Sequence, residues 1–112
     1  MGMSPIYAEL HRWRAQPFAW GWHDCIMAPF GWVERVRGVN PGAHLIGTYS
    51  SAGEVERLTR FFTDPMGCIG PMVEAVEMGL TDAPRAGDIG LTLQREAGRL
   101  LPCGMMLSLI HI

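Results

Sequence analysis

The sequence contains no lysine, so all nine of its positive charges are arginines. Against eleven acidic residues they leave a net charge of −2. This balance gives no electrostatic reason to expect binding to nucleic acid or to an anionic membrane. The chain also lacks the run of roughly 20 apolar residues that a membrane-spanning helix needs. Its first residues, MGMSPIYAELHRWR, show no basic segment followed by an apolar one, so we expect no signal peptide.

Cysteine occurs only three times, at Cys25, Cys68 and Cys103. The count is odd, the spacings are wide and no Cys-x-x-Cys or Cys/His pair is present, which argues against a disulfide framework and against a zinc site. None of the four histidines has a companion at metal-ligand spacing, and we expect neither a metal nor a cofactor. Such cysteine usage is typical of a reducing cytoplasm, or of a particle assembled there.

What the chain does contain is enough apolar sequence for one small domain. Its 112 residues are 48% hydrophobic, and a chain of this length can bury a modest core without cross-links. Capping residues and prolines at first helical positions predict four helices. Their predicted starts are Ser4, Asp24, Ser51 and Pro71, and their predicted ends are just before Pro17, at Arg37, at Asp64–Gly67 and at Gly79.

Two details of these helices can be predicted from the spacing of their residues. Pro29 lies just inside the second helix and predicts a kink or a loosened first turn. The third helix is expected to present an apolar face made of Val55, Leu58 and Phe62.

The last part of the chain changes from helical to strand periodicity. The segment Asp88–Leu93 alternates, Glu96-Ala97-Gly98 predicts a turn, and alternation resumes through Leu101, Cys103, Met105 and Leu107. Helices followed by a hairpin predict a single α+β domain over residues 1–112, with the helices packed on a small antiparallel sheet.

Two strands are too few for an independently stable sheet. We therefore expect the chain to be truncated at its C-terminus and its final strand to be unpaired on one edge, whereas a closed barrel would contradict truncation. Residues 108–112, including His111, are expected to be foreign to the natural protein.

The stretch Gly21-Trp22-His23-Asp24-Cys25 carries the strongest indication of chemistry. A cysteine at a helix start is favoured as a nucleophile because free amides and the positive end of the helix dipole stabilise a thiolate. Asp24 at the cap fixes the aim of the sulfur, although its own charge opposes the thiolate. The alternative is that Cys25 is inert packing, as cysteines often are, and Cys68 and Cys103 fit that alternative better.

A catalytic thiol needs a base oriented toward it, and no histidine is placed by sequence to supply one. The ring of His23 is expected to point away from the sulfur, and His11 to lie on the surface of the first helix. His44 has no companions, and His111 lies in the suspect tail.

The order of these features resembles the NlpC-type cell-wall cysteine peptidases, a circularly arranged papain-like family. The matching residues are Ala19-Trp20-Gly21, Asp24-Cys25, Ala86-Gly87-Asp88-Ile89 and Gly104-Met105. The likeness is greater to an uncharacterised branch found among phage and prophage tail genes, in which a segment similar to Gly47-Thr48-Tyr49-Ser50-Ser51-Ala52 lies between helix and strand. The resemblance covers roughly residues 15 to 107.

The resemblance implies a papain-like fold, here truncated, in which the nucleophile helix packs on a small antiparallel sheet. It implies that a Cys25 thiolate attacks an amide of a peptidoglycan stem peptide, with backbone amides at the helix start holding the oxyanion. Asp24 would act as a structural cap, and the loop residues Trp20, Gly21, Trp22 and His23 would contribute to binding. The protein would reside in the host cytoplasm or in the virion.

One position departs from the family pattern. The family places its catalytic histidine two residues before the glycine of the second strand, and this chain has Pro102 there. Loss of that base can cost on the order of a million-fold in rate, so the enzyme question stays open. The alternative function is a non-catalytic tail module that binds neighbouring phage tail proteins, with the aromatic loop Phe18, Trp20 and Trp22 as its anchors. A third is an α+β domain of unrelated role.

Overall fold

The computed structural model describes residues 4–107. Four helices precede a two-stranded antiparallel sheet, which confirms the predicted α+β class. The elements are α1 (Pro5–Ala15), α2 (Met27–Arg37), a short 3-10 turn (Ala43–Leu45), α3 (Ala52–Thr59), α4 (Pro65–Ala75), β1 (Ile89–Glu96) and β2 (Arg99–Met106). The predictions for residues 108–112 and His111 lie outside the described residues.

Helix α1 follows its sequence signals closely. The Ser4 hydroxyl accepts from the Tyr7 amide at 3.2 Å, and Pro5 occupies the first helical position. The helix ends at Ala15, and Gln16 is extended, as expected of a residue that precedes a proline.

Glu9 on α1 ties this helix to α2. Its side chain is fully buried and accepts hydrogen bonds from three side chains. Arg35 on α2 binds both carboxylate oxygens, with one contact at 2.6 Å. Trp13 donates its indole N–H at 2.7 Å, and Arg12 adds a longer contact at 3.4 Å. The bidentate pair fixes the angle at which the first two helices pack.

Replacing Glu9 by Gln is expected to destabilise the fold in a pH-dependent way. Burial alone would raise the pKa of Glu9, but Arg35, Trp13 and Arg12 together lower it. A lowered folded-state pKa contributes stability above the ordinary glutamate pKa of about 4.3, and this stability is lost as the pH falls through the folded-state value. At pH 7 we expect Glu9→Gln to cost about 2–3 kcal/mol.

Urea unfolding at pH 7 and at pH 3.5 measures this effect. The difference between wild type and Glu9→Gln should shrink at the lower pH. Glu74→Gln, on the exposed surface of α4, is the matched control and should change stability by less than about 0.5 kcal/mol at either pH. A Glu9→Gln deficit of equal size at both pH values would contradict the ion-pair explanation.

Helix α2 begins at Met27, three residues after the predicted start at Asp24. Asp24 nevertheless caps the preceding turn, because its carbonyl accepts from Ala28 at 3.0 Å. Pro29 has no N–H to donate to the Cys25 carbonyl, so regular helix starts only after this loosened turn. The end is as predicted, since Gly38 adopts a left-handed conformation with φ of 80°.

The predicted boundary between the third and fourth helices is wrong. Ser51 caps α3 as expected and accepts from the Glu54 amide at 3.1 Å. However, the segment Asp64–Gly67 begins α4 rather than ending α3. The Asp64 carboxylate accepts from the Gly67 amide at 3.0 Å, and Pro65 takes the first helical position. Pro71, the predicted start, lies inside the helix.

The apolar face of α3 also differs from the prediction. Val55 is fully buried, as expected, but Leu58 is 58% exposed. Phe61, rather than Phe62, is fully buried, because the chain turns at Arg60 in a left-handed conformation (φ 59°) before Phe61.

The hairpin forms as predicted, with longer strands. Ala97 and Gly98 make a two-residue turn with φ of 50° and 77°, the conformation of a tight hairpin loop. Leu91 on β1 lies opposite Gly104 on β2. Among residues 4–107 the sheet has only these two strands, and β2 is paired along one edge.

The buried core lies where α2 meets α3, α4 and the 3-10 turn. Its members are Ile26, Met27, Phe30, Leu45, Tyr49, Val55, Phe61 and Cys68. Half-buried Ile89 and Leu91 of β1 pack against this cluster from the sheet side. No helix within the described range is long and apolar enough to cross a membrane.

Candidate functional site

The Asp24 carboxylate organises the segment that was predicted to carry the chemistry. Asp24 is buried, with 3% exposure, and its two carboxylate oxygens accept four hydrogen bonds. Oδ1 accepts from the amides of Ile26 and Met27, each at 2.8 Å. Oδ2 accepts from the Gly21 amide at 2.8 Å and from the Tyr49 hydroxyl at 2.7 Å. Asp24 is therefore a structural cap, and it occupies amides that would otherwise stabilise a thiolate.

The Gly47-Thr48-Tyr49 segment packs directly on the Gly21 loop. Gly21 adopts φ of 84°, and a Cβ there would lie 2.5 Å from the Tyr49 carbonyl oxygen. A Cβ on Gly47 would lie 2.8 Å from the Trp22 ring. The Gly47 amide donates to the Gly21 carbonyl at 2.9 Å. These contacts explain why glycine stands at both positions and how Tyr49 reaches Asp24.

Cys25 lies where the turn before α2 meets strand β2. A Cβ on Gly104 would lie 2.1 Å from the Cys25 carbonyl oxygen and 3.0 Å from Pro29 Cγ. The two backbones are thus in direct contact. This carbonyl is open to the strand because Pro29 donates no helical hydrogen bond to it.

The ladder geometry of β2 explains how its backbone reaches the Cys25 sulfur. Pro102, opposite Leu93, has no N–H, so its nitrogen takes the side of β2 that faces away from β1. Gly104 is two residues further on and has the same orientation. Its N–H is thus directed toward Cys25 and acts to lower the pKa of that thiol, against the larger influences that raise it.

Cys103 brings a second thiol to the same place. Its Sγ lies 3.4 Å from the Gly104 carbonyl oxygen and interacts with the Cys25 thiol. That interaction lowers the pKa of Cys103 to about 7, because a donated hydrogen bond stabilises its thiolate. The same interaction raises the pKa of Cys25, and burial and the charge of Asp24 raise it further. The pair therefore releases one proton readily and holds the second tightly.

The other loop residues of the predicted site contact parts of the molecule other than Cys25. Trp20 is half-buried and packs edge-on against Phe18 and Tyr49, with ring centroids 4.8 and 6.5 Å apart. Trp22 is 67% exposed. His23 points toward α1, as expected, and its Nε2 lies 3.3 Å from the Trp13 carbonyl oxygen. Trp22 and His23 line a cavity of about 220 Å³ that Cys25 does not border.

Cys25 borders a larger cavity of about 570 Å³ between α2, α4 and the hairpin. Its walls are mainly apolar and include Phe30, Val33, Ile69, Val73 and Ile89. A binding surface of this kind accepts apolar groups.

The described residues supply neither a base nor a metal site beside Cys25. His11 stands 6.4 Å from the Tyr7 ring on α1, and His44 lies exposed in the 3-10 turn. Pro102, where the resemblance to NlpC-type peptidases would place a histidine, is buried. Within residues 4–107 no group of three or more His, Cys, Asp or Glu side chains could hold a metal ion.

The sequence did not reveal the roles of three contributors to this site: Tyr49, Cys103 and Gly104. The tyrosine of the Gly47–Ala52 segment was noted, but nothing in its spacing showed that it would bind Asp24 across 25 residues. Cys103 was assigned to inert packing because it alternates with apolar residues. Gly104 is part of the resemblance to NlpC-type peptidases, and that resemblance was the available signal for its close contact.

A family model described as a domain of unknown function, DUF6950, matches residues 4–107. No curated protein and no solved structure matches the chain.

Proposed function

The chain belongs to the DUF6950 family, and we propose that it is a phage or prophage tail-associated protein whose NlpC-like cysteine site no longer hydrolyses peptidoglycan. The tail association and the NlpC-like, papain-like ancestry rest on the sequence resemblance around Asp24-Cys25 and Gly104-Met105. The protein would act as an assembly module that binds neighbouring tail proteins.

The observation that carries the non-hydrolytic part is the environment of Cys25. Asp24 already accepts the hydrogen bonds of the Ile26 and Met27 amides, which removes the thiolate stabilisation that a helix start normally provides. The pKa of Cys25 is raised, first by its interaction with Cys103. The raised pKa disfavours the Cys25 thiolate, and the described residues place no histidine where a base would activate it.

The exposed aromatic residues of the preceding loop support the binding role. Phe18 is 60% exposed and Trp22 is 67% exposed. Large aromatic side chains are enriched among the residues that anchor protein interfaces.

The second candidate is a peptidoglycan peptidase, and two observations favour it. Cys25 borders the cavity of about 570 Å³. Its backbone N–H has no hydrogen-bond partner within residues 4–107, so it is available as an oxyanion donor. This candidate requires a base that the described residues do not provide.

Hydrolysis of purified peptidoglycan stem peptides separates the two candidates. We expect the wild-type chain to release product no faster than Cys25→Ser. A peptidase would exceed Cys25→Ser by on the order of 10³-fold or more, since loss of a nucleophile removes the covalent route. Cys68→Ser, at a cysteine away from the site, is the matched control. A rate that depends on Cys25 and not on Cys68 would overturn the non-hydrolytic proposal.

Two variants introduced into the phage genome, Cys25→Ser and Trp22→Ala, test the tail role. Cys25→Ser should leave infectivity unchanged, whereas Trp22→Ala should reduce the number of assembled tails counted by electron microscopy. Normal tails that cannot infect, with Cys25→Ser, would favour an enzymatic role during entry instead.

A further inference from the structure

The two thiols at the start of α2 and on β2 form a nucleophile pair that the proposed function does not use. Cys25 and Cys103 are both half-buried, so each remains partly accessible to solvent. The Gly104 backbone lies against the Cys25 carbonyl, and a Cβ added at Gly104 would lie only 2.1 Å from that oxygen. The segments that carry the two sulfurs are therefore in backbone contact, and the two side chains interact with each other.

We propose that Cys25 and Cys103 are a reversible redox modification site, which forms an intramolecular disulfide by exchange with a small-molecule disulfide such as glutathione disulfide. The proposal is independent of the tail role and of hydrolysis, because it requires only the two adjacent thiols. In such a dithiol pair, one sulfur attacks the small disulfide and the other resolves the resulting mixed disulfide.

Cys103 is the attacking residue. Its pKa of about 7 makes it partly thiolate at neutral pH, and thiols with a pKa near the ambient pH attack disulfides fastest. The Cys103 thiolate forms a bond to one sulfur of the small disulfide and breaks its S–S bond. One small-molecule thiolate leaves, and Cys103 carries the other half as a mixed disulfide.

Cys25 is the resolving residue. Once Cys103 is in a mixed disulfide, it no longer shares a proton with Cys25, and the Gly104 N–H still stabilises the Cys25 sulfur. Cys25 gives its proton to the small-molecule thiolate released in the first step, and its sulfur then attacks the Cys103 sulfur. This attack breaks the mixed disulfide, and the second small-molecule thiolate leaves and takes up the proton that Cys103 had released. The sum is two protein thiols and one small disulfide converted into one protein disulfide and two small thiols.

Cys68 provides an internal comparison. It is buried in the core, and burial raises the pKa of its thiol. We therefore expect it to stay reduced in the folded protein while the other two cysteines react.

The experiment uses the full chain at pH 7.5 with glutathione disulfide. After acid quenching, free thiols are alkylated in denaturant and the peptides are mapped by mass spectrometry. We expect a Cys25–Cys103 cross-linked peptide, a mass about 2 Da below the reduced chain and an alkylated Cys68. Excess reduced glutathione should reverse the change. In Cys25→Ser, glutathione should remain bound to Cys103, and the mixed disulfide should accumulate at least tenfold over wild type.

Two further samples keep the result interpretable if a variant folds poorly. Cys68→Ser should still form the Cys25–Cys103 disulfide. Wild type oxidised in 6 M guanidinium, by contrast, should give scrambled pairs that include Cys68. Pairing of Cys68 in the native protein would overturn the proposal. So would a wild type that stops at the glutathione mixed disulfide, or one whose Cys103 reacts no faster than Cys68.

Discussion

Asp24→Ala is expected to lower the free energy of unfolding by about 3–5 kcal/mol, which is one of the two largest effects of a single substitution in this chain. The carboxylate is buried and accepts from Gly21, Ile26, Met27 and Tyr49. Alanine would leave three backbone amides and one hydroxyl without their acceptor. Urea unfolding followed by far-UV circular dichroism measures the loss.

Two graded variants test the assignment of this energy to the carboxylate. Asp24→Asn retains Oδ1 for the amides of Ile26 and Met27 but presents an NH₂ group to the Gly21 amide, so it should lose less than alanine does. Tyr49→Phe removes a single hydrogen bond and should cost about 1 kcal/mol. The expected order of stability is wild type, Tyr49→Phe, Asp24→Asn, Asp24→Ala. An Asp24→Ala variant as stable as Tyr49→Phe would contradict the role of Asp24 as a shared acceptor.

Local signals in the sequence predicted those parts of the fold that local interactions determine. The Ser4 and Ser51 caps, the Gly38 end of α2 and the hairpin turn at Ala97-Gly98 each involve residues within about four positions of one another. The α3–α4 boundary failed because Asp64 and Pro65 can end one helix or begin the next with equal local plausibility. In the structure α3 ends at Thr59 and Asp64 caps α4, with Phe61 and Cys68 buried.

The candidate site was predictable only in part for the same reason. The role of Asp24 as a cap follows from adjacent residues, whereas the role of Cys25 as a nucleophile stays a prediction. The partners that determine the chemistry of Cys25 are distant in sequence: Tyr49, Cys103 and Gly104. Sequence reasoning left the sign of the Cys25 pKa shift open, because the helix start and Asp24 act in opposite directions. The shift is upward, and its largest cause is Cys103, 78 residues away.

Gly104→Ala is expected to destabilise the protein by about 2–4 kcal/mol, since extra volume in a packed contact forces backbone shifts. The new Cβ would lie 2.1 Å from the Cys25 carbonyl oxygen and 3.0 Å from Pro29 Cγ. Both neighbours are rigid, as one is backbone and the other a proline ring. The strand or the turn before α2 must therefore move, and the two thiols would separate.

Gly90→Ala on the neighbouring strand is the matched control. A Cβ there would meet only Met105 Cγ, at 3.9 Å, which is ordinary contact, so stability should change by less than about 0.5 kcal/mol. If Gly104→Ala moves β2 away from Cys25, the Cys103 thiol should lose its hydrogen-bond donor and its pKa should rise toward the ordinary value of about 8.5. The pH dependence of iodoacetamide labelling at Cys103 reports that shift. Equal unfolding energies and equal labelling profiles for the two alanine variants would contradict a direct contact between β2 and the Cys25 backbone.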